Sequence, residues 1–190
     1  MYLRKIVLAL MFIFIADIAN AEVDFFAGMG LHSGGDTLAT VIFTDDSNEK
    51  IKAGELVSID LGMAWDMESM EGRATIGLKN DQITATNGDL DFTRYTSQIM
   101  LFYPLERWHF GGGLTYHFDI ELDGSGQASV ANAKYRNALG FVAEIDYYFN
   151  NWFFIGLQYT DIEYDRSTSY GKSERTFDGS SIGIVFAGRW

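Results

Sequence analysis

His117, Asp119 and Glu121 occupy every second position of one segment, a spacing that could support acid–base chemistry. Alternate side chains of an extended chain point to the same face, so a histidine and two carboxylates would lie side by side. A carboxylate that orients an imidazole can help it to polarise a nucleophilic hydroxyl. No serine joins this group, because Ser97 on the preceding segment has the opposite parity. We therefore predict a hydrogen-bond network here, and not a catalytic site.

Further charged residues alternate with the apolar residues of their own segments, so their side chains are predicted to point to the opposite face of each strand. They are Asp60, Glu71, Arg73, Lys79, Arg94, Arg136, Glu144, Asp146 and Arg189. Both signs of charge are mixed with small residues, which is typical of the inside of a narrow closed sheet, where charges must satisfy each other. The charges could line a water-filled constriction, or they could form ion pairs that fill the interior. A barrel of eight strands is only just wide enough for its own side chains, which favours the ion pairs.

Short strands must position these residues, because apolar side chains alternate with small or polar ones in eight segments. In the last segment, Ile182, Ile184 and Phe186 follow this alternation and Trp190 ends it. The predicted strands are residues 24–34, 56–67, 70–80, 93–103, 108–122, 134–149, 152–164 and 176–190. In hydrocarbon every backbone N–H and C=O needs a partner, so a sheet that faces lipid must close on itself. We predict an all-β fold, an eight-stranded antiparallel up-and-down transmembrane β-barrel.

The connections between these strands alternate in length. The short ones are residues 68–69, 104–107 and 150–151, and the long ones are residues 35–55, 81–92, 123–133 and 165–175. This alternation is typical of outer-membrane barrels with short periplasmic turns, long extracellular loops and both termini in the periplasm. Residues 37–43 (TLATVIF) are rich in β-formers. We expect them to extend the first hairpin above the bilayer.

Residues 1–21 have the composition of a secretory signal peptide. Two basic residues are followed by an apolar run at residues 6–15, and Ala19 and Ala21 form a small-x-small cleavage site. Ten apolar residues are about half of the ~20 that span a bilayer as a helix. We therefore predict cleavage after Ala21.

The remaining residues, 22–190, are predicted to form a single barrel domain. The chain has no cysteine, which excludes disulfides and thiolate metal sites. Its formal net charge of −12 becomes (14 − 2) − (26 − 1) = −13 without the predicted signal peptide. Such a charge disfavours nucleic acid as a partner, because phosphate binding requires cations. The acidic loops lack the spacing of a calcium-binding motif, and we expect no metal and no cofactor.

The signal peptide, the eight amphipathic strands, the alternating loop lengths and the terminal aromatic resemble the small eight-stranded outer-membrane barrels, of which the OmpA-type transmembrane domain is the best known. The resemblance covers residues 22–190. It implies that Ile182, Ile184, Phe186 and Trp190 form the insertion signal that the barrel-assembly machinery reads. Gly188 departs from this pattern, because an apolar or aromatic residue is usual there.

We expect a monomer of the bacterial outer membrane with a structural or surface-interaction role and no enzymatic activity. The expected partners are outer-membrane lipid and lipopolysaccharide, which the long loops would contact. One alternative is a narrow porin-like channel for ions or small solutes. A second alternative is a lipid A-modifying enzyme, since such enzymes include eight-stranded barrels that act at this height of the membrane.

Overall fold

The computed structural model describes residues 22–42, 48–85, 88–167 and 175–190, so the predicted signal peptide with Ala19 and Ala21 lies outside the described residues. The strands are β1 (Val23–Ser33), β2 (Thr37–Ile42), β3 (Asn48–Lys52), β4 (Leu56–Met67), β5 (Met70–Ala85), β6 (Gly88–Leu105), β7 (Trp108–Gly124), β8 (Ala133–Tyr135), β9 (Ala138–Asn150), β10 (Phe153–Asp161), β11 (Glu163–Asp165), β12 (Thr176–Asp178) and β13 (Ser181–Arg189). One 3₁₀ helix, Gly126–Ala131, precedes β8. Within the described ranges, no helix is long and apolar enough to cross a membrane.

Eight of these strands form one closed barrel, in the order β1, β4, β5, β6, β7, β9, β10 and β13. Each is antiparallel to its neighbours, and β13 returns to pair with β1, from Ser33 opposite Ile182 to Phe26 opposite Arg189. This pairing leaves none of the eight strands at an open edge, which is what hydrocarbon surroundings require. The predicted eight-stranded antiparallel up-and-down barrel is confirmed.

The predicted strand bounds agree best where the apolar alternation is uninterrupted. β4 has the predicted bounds at both ends. β5 and β6 are longer than predicted, because their hairpin continues to Ala85 and Gly88 through most of the long connection predicted at residues 81–92. The last predicted strands each divide into a barrel strand and a short strand at the loop end, as β8 and β9, β10 and β11, and β12 and β13.

The outer wall of the barrel is an apolar belt bordered by aromatic side chains. Trp108 marks the end with the short turns, and Phe118 on the same strand marks the end with the long loops, where its ring stacks on Tyr95 at 5.8 Å. These two residues are 118 − 108 = 10 positions apart, and ~3.3 Å per residue at a tilt of ~40° gives a height of ~25 Å. This matches the apolar band of outer-membrane barrels, about 25 Å tall.

A bulge in β7 overturns one prediction. Thr93 pairs with Glu121 and Tyr95 pairs with Phe118, so Arg94 lies opposite two residues, Asp119 and Ile120. Asp119 has the left-handed φ of 51° that such an extra residue often adopts. Beyond the bulge, the side chains of β7 that face inward belong to even-numbered residues and no longer to odd-numbered ones. Ile120 is therefore buried, Asp119 is exposed, and Glu121 forms its ion pair with the exposed Lys134.

An apolar cap covers the loop end of the barrel interior. Its buried members come from β3, β5, β6, β7, the β8–β9 segment, β11 and β12, and from the residues that adjoin them; they are Ile51, Ala53, Ile83, Leu90, Phe92, Ile120, Leu122, Tyr135, Ala138, Ile162, Tyr164 and Phe177. Residues 37–43 were expected to extend the first hairpin. Instead, β2 pairs with β3 in a separate two-stranded sheet whose Leu38, Ala39 and Val41 pack on the cap, and Phe43 lies outside the described residues.

Burial in the cap explains why β2 and β3 form a separate sheet and do not extend the first hairpin. Burial of an aliphatic or aromatic side chain stabilises a fold by about 1.5–3 kcal/mol, and an extended hairpin would leave Ile51 in water. In the structure Ile51 is completely buried.

Candidate functional site in the barrel interior

Arg73 lies at the centre of an ion-pair network in the half of the interior nearer the short turns. Its Nε is 2.5 Å from Glu71 Oε1, and its Nη1 is 2.7 Å from Asp146 Oδ2 and 3.3 Å from Glu144 Oε1. Its Nη2 donates a hydrogen bond of 3.1 Å to the hydroxyl of Tyr148. The strands β5 and β9 supply all four partners. We call this group the Arg73 network.

Aromatic rings fill the space around the same guanidinium. The Cζ atom of Arg73 lies 3.7 Å from the ring centre of Phe102, 4.7 Å from that of Phe154 and 5.9 Å from that of Phe26. Contacts of this kind stabilise a cation away from water. Gly111 lies beneath the ring of Phe102, and a Cβ there would collide with it. Ion pairs and rings thus occupy this level of the barrel together.

Arg189 continues the network to the short-turn end. Its Nη1 lies 2.7 Å from Glu71 Oε2, its Nε 2.6 Å from Asp24 Oδ2, and its Nη2 3.4 Å from Asp66 Oδ1. An open cavity of about 360 Å³ at this end reaches Arg189 and Tyr148, which form part of its lining. Beside Arg73 the enclosed space is about 30 Å³, room for about two waters.

The half of the interior nearer the long loops has a different composition. Lys79 on β5 lies directly opposite Arg94 on β6, and Thr96 on β6 lies opposite His117 on β7. All four side chains are buried. The Cζ atom of Arg94 lies 4.6 Å from the ring centre of Phe92 in the apolar cap. We call Lys79, Arg94, Thr96 and His117 the loop-side chamber.

His117 is held by Tyr164 of the apolar cap. The Tyr164 hydroxyl lies 2.6 Å from His117 Nδ1. Burial raises the pKa of Tyr164, so its phenol stays protonated, and we assign this hydroxyl as the donor to Nδ1 of a neutral His117. The ring proton of a neutral His117 is then on Nε2, which faces the interior without a hydrogen-bond partner. The hydroxyl donor replaces the carboxylate that the spacing of the sequence had suggested.

The structure places nine of the twelve predicted network residues inside the barrel. Glu71, Arg73, Lys79, Arg94, His117, Glu144 and Asp146 are buried, and Asp60 and Arg189 are partly exposed. Three predicted positions are wrong: Asp119 and Glu121 lie beyond the bulge, and Arg136 is exposed. Tyr135 and Ala138 both face inward although they are three positions apart, so the alternation shifts between them and Arg136 faces outward. Asp119 and Glu121 therefore do not join His117 on one face.

Sequence reasoning left several interior residues out of the predicted network. His32 Nε2 lies 3.2 Å from Ser58 Oγ, and Gln158 Nε2 donates a hydrogen bond of 2.5 Å to Glu144 Oε2. Tyr148 has the same parity as Glu144 and Asp146, which is the signal that could have identified it. Tyr164 gave the same signal, because it shares the parity of the buried Gln158 and Thr160 although residue 162 separates β10 from β11.

The predicted insertion signal lies on the last strand with its side chains outward. Ile182, Ile184 and Trp190 are exposed on the outer wall, and Phe186 is half-buried there. Trp190 also pairs its backbone with Phe25, so both ends of the barrel lie at the short-turn end. Recognition by the assembly machinery stays a prediction.

The sequence matches no protein-family model and no curated protein sequence. The structure is similar to the crystal structure of Ail, the attachment invasion locus protein of Yersinia pestis, in complex with the heparin analogue sucrose octasulfate. Identity is 12%, the match covers 90% of this chain and 99% of Ail, and the TM-score is 0.53. It is also similar to the solution structure of outer membrane protein H (OprH) from P. aeruginosa in DHPC micelles. There identity is 15%, coverage is 88% of this chain and 99% of OprH, and the TM-score is 0.55.

At these identities the similarity concerns the fold. The closed order of eight antiparallel strands, the apolar outer wall and the polar interior agree with it. The chain has the fold of the small eight-stranded outer-membrane β-barrels, as the resemblance in its sequence predicted.

Proposed function

We propose that the protein is an integral barrel of the bacterial outer membrane that does not conduct ions and acts as a structural or surface-interaction protein. The apolar belt supports this location, because a continuous wall of exposed aliphatic side chains is unfavourable in contact with water. The short turns and both termini would face the periplasm, as in barrels of this kind. The long loops and the apolar cap would then face the outside.

The single observation that carries the non-conducting role is the filled interior at Arg73. Three carboxylates, one hydroxyl and three aromatic rings contact or surround one guanidinium, and the enclosed space beside it is about 30 Å³. The apolar cap is a second barrier at the loop end. A hydrated ion would have to break buried ion pairs and then cross apolar contacts, which makes passage unfavourable.

Planar-bilayer recording tests this role. The wild-type protein should give no discrete conductance steps. A double variant, Arg73→Ala with Phe102→Ala, removes the central guanidinium and the ring closest to it, and should produce small steps once it is folded. Discrete steps from the wild type would contradict the proposal and favour the channel.

The geometry around His117 supports a role other than catalysis. A hydrolase needs a nucleophile beside an oriented base, and the partner of His117 is the buried phenol of Tyr164. Incubation with lipopolysaccharide followed by mass spectrometry of lipid A should show no change in mass. A mass change that His117→Ala abolishes would contradict this.

We further propose that the loop end contacts lipopolysaccharide. Lys134 and Arg136 are exposed beside the girdle residue Tyr116, whose hydroxyl accepts a hydrogen bond of 2.9 Å from Asn137 Nδ2. Basic side chains at this height are suited to the phosphates of lipid A. The ligand of Ail, a polysulfated sugar, is a less suitable analogue because this chain has a formal net charge of −12.

Binding of the folded protein to lipopolysaccharide micelles tests this contact. Lys134→Ala with Arg136→Ala should weaken binding several-fold. Arg107→Ala is the matched control, because it removes an exposed cation at the short-turn end. Equal weakening by the control would show that the effect is one of overall charge and would contradict the proposed site.

A further inference from the structure

Four buried polar atoms without hydrogen-bond partners in the described part of the chain belong to the loop-side chamber. Arg94 is 1% exposed, and its Nε and Nη1 have no hydrogen-bond partner among the residues that the structure describes. Thr96 Oγ1 and His117 Nε2, also buried, have none either. Buried polar groups are almost always satisfied by protein, water or a ligand, so a group of such donors on facing strands indicates that something else completes them.

The donors belong to one continuous stretch of the inner wall. Lys79 lies opposite both Ser58 on β4 and Arg94 on β6. Ser58 in turn lies 3.2 Å from Nε2 of His32, whose Nδ1 has no partner. Positive charge and N–H donors thus extend from β1 to β7 around one level of the barrel.

The carboxylates near this level do not form an ion pair with Arg94 in the described part of the chain. Asp60 lies opposite Gly77, where a Cβ would collide with its carboxylate, and so it faces the interior near Lys79. Asp81 lies on β5 two positions beyond Lys79, and its buried Oδ2 has no hydrogen-bond partner among the described residues. Among the described residues, no carboxylate oxygen lies within 4.0 Å of a nitrogen of Arg94. Asp60 acts on Lys79 and Asp81 on Arg94 from beyond ion-pair distance, so the N–H donors of Arg94 stay without a carboxylate acceptor among the described residues.

Enclosure sets the size and charge of what could bind. Phe92 and Tyr164 of the apolar cap lie over Arg94, with ring centres 4.6 and 5.4 Å from its Cζ atom. On the other side the Arg73 network fills the barrel. This enclosure favours a small ligand over a sugar or a lipid headgroup. A small monovalent anion would have N–H and hydroxyl donors around it.

We propose that the loop-side chamber binds one chloride-sized inorganic anion, held by Arg94 Nε and Nη1, the Nε2–H of His117 and the hydroxyl of Thr96. The anion enters when the barrel folds, because the cap and the network enclose it afterwards. It exchanges slowly with solvent in the folded protein.

Bromide replaces chloride in such sites and is located directly by anomalous X-ray diffraction. Wild-type protein refolded in bromide should show one anomalous peak at hydrogen-bond distance from Arg94 Nε. Protein refolded in chloride and then moved to bromide should show a weaker peak or none, because exchange is slow. Water alone at this position in protein refolded in bromide would overturn the proposal, and this result does not depend on any variant.

Stability gives an independent readout. The temperature at which the folded band is lost on a gel should be higher after refolding in chloride than in gluconate at equal ionic strength. Arg94→Gln should abolish the difference, and Arg107→Gln, which removes an exposed cation at the short-turn end, should retain it. If Asp81 supplied the missing charge instead, the wild type would show no chloride dependence, and Asp81→Asn would destabilise the protein as much as Arg94→Gln; that pattern would also overturn the proposal.

Discussion

The two halves of the barrel interior bury the same kinds of side chain and satisfy them differently. In the short-turn half, Arg73 has carboxylates from two strands within 3.3 Å and a hydroxyl at 3.1 Å. In the loop half, Arg94 has aromatic faces beside it and no carboxylate within ion-pair distance among the described residues. Burial of a cation therefore does not reveal whether the protein itself supplies the counter-charge.

We therefore expect the short-turn half to contribute mainly to stability and the loop half to provide the binding site. Removal of one partner from a complete buried network leaves several uncompensated charges, whereas removal of an unpaired cation relieves one. The Arg73 network is thus expected to hold the barrel together and to close it. The loop-side chamber keeps donors available for a ligand. Variants of the two arginines test this contrast most directly.

Arg73→Met should have the largest effect. It leaves Glu71, Glu144 and Asp146 buried without their common cation, and the loss of a buried partner costs about 3–5 kcal/mol of unfolding free energy. Urea unfolding in lipid vesicles, followed by tryptophan fluorescence, measures it. The matched control is Arg107→Met, an exposed arginine that should change little. A loss below about 1 kcal/mol for Arg73→Met would contradict the role of the network.

Tyr164→Phe should have the next largest effect. It keeps the ring in the apolar cap but removes the donor to His117 Nδ1, and a buried acceptor without a partner costs about 1–3 kcal/mol. Tyr135→Phe is the control, because Tyr135 lies in the same cap and its ring also packs there. The same urea titration should show a smaller loss for the control. Equal losses would mean that the hydrogen bond contributes little.

Arg94→Met should have a small effect in gluconate buffer, within about 1 kcal/mol of the wild type or slightly stabilising, because it removes a charge that has no ion-pair partner among the described residues. In chloride buffer the variant should lose the extra stability that the wild type gains. If Arg94→Met in gluconate were as damaging as Arg73→Met, the two halves would not differ in the way described.

Lys134→Gln should have the smallest effect. Its ion pair with Glu121 lies outside the barrel, where water and salt screen it. Unfolding of this variant should be indistinguishable from that of the wild type at physiological salt. A clear loss would show that the segment around the β7 bulge is a structural element of the barrel wall.

Periodicity in the sequence predicted the barrel because side-chain parity is a local property of an extended chain. Alternation within a single segment predicts the bounds of β4 and the inward direction of Arg73 and Lys79. Its recurrence in eight segments predicts the closed barrel. Lipid outside and limited space inside leave few other arrangements of such segments.

Pairing between segments decided what parity could not. The bulge at Asp119 becomes evident only from the pairing of β6 with β7, where Arg94 lies opposite two residues. The change of parity at Arg136 becomes evident only because Tyr135 and Ala138 both face inward. The cap likewise depends on apolar groups that are far apart in the sequence, such as Ile51 and Phe177.

By itself, the sequence determined a closed cylinder with charges inside, because alternation and the need to pair every backbone group require only local information. The tertiary structure alone decided which charges meet. Arg73 pairs with Asp146 across the barrel, 73 residues later in the chain, while Arg94 forms no ion pair with a carboxylate of the described residues. The register of eight strands around one axis sets those distances, and no single segment contains that register.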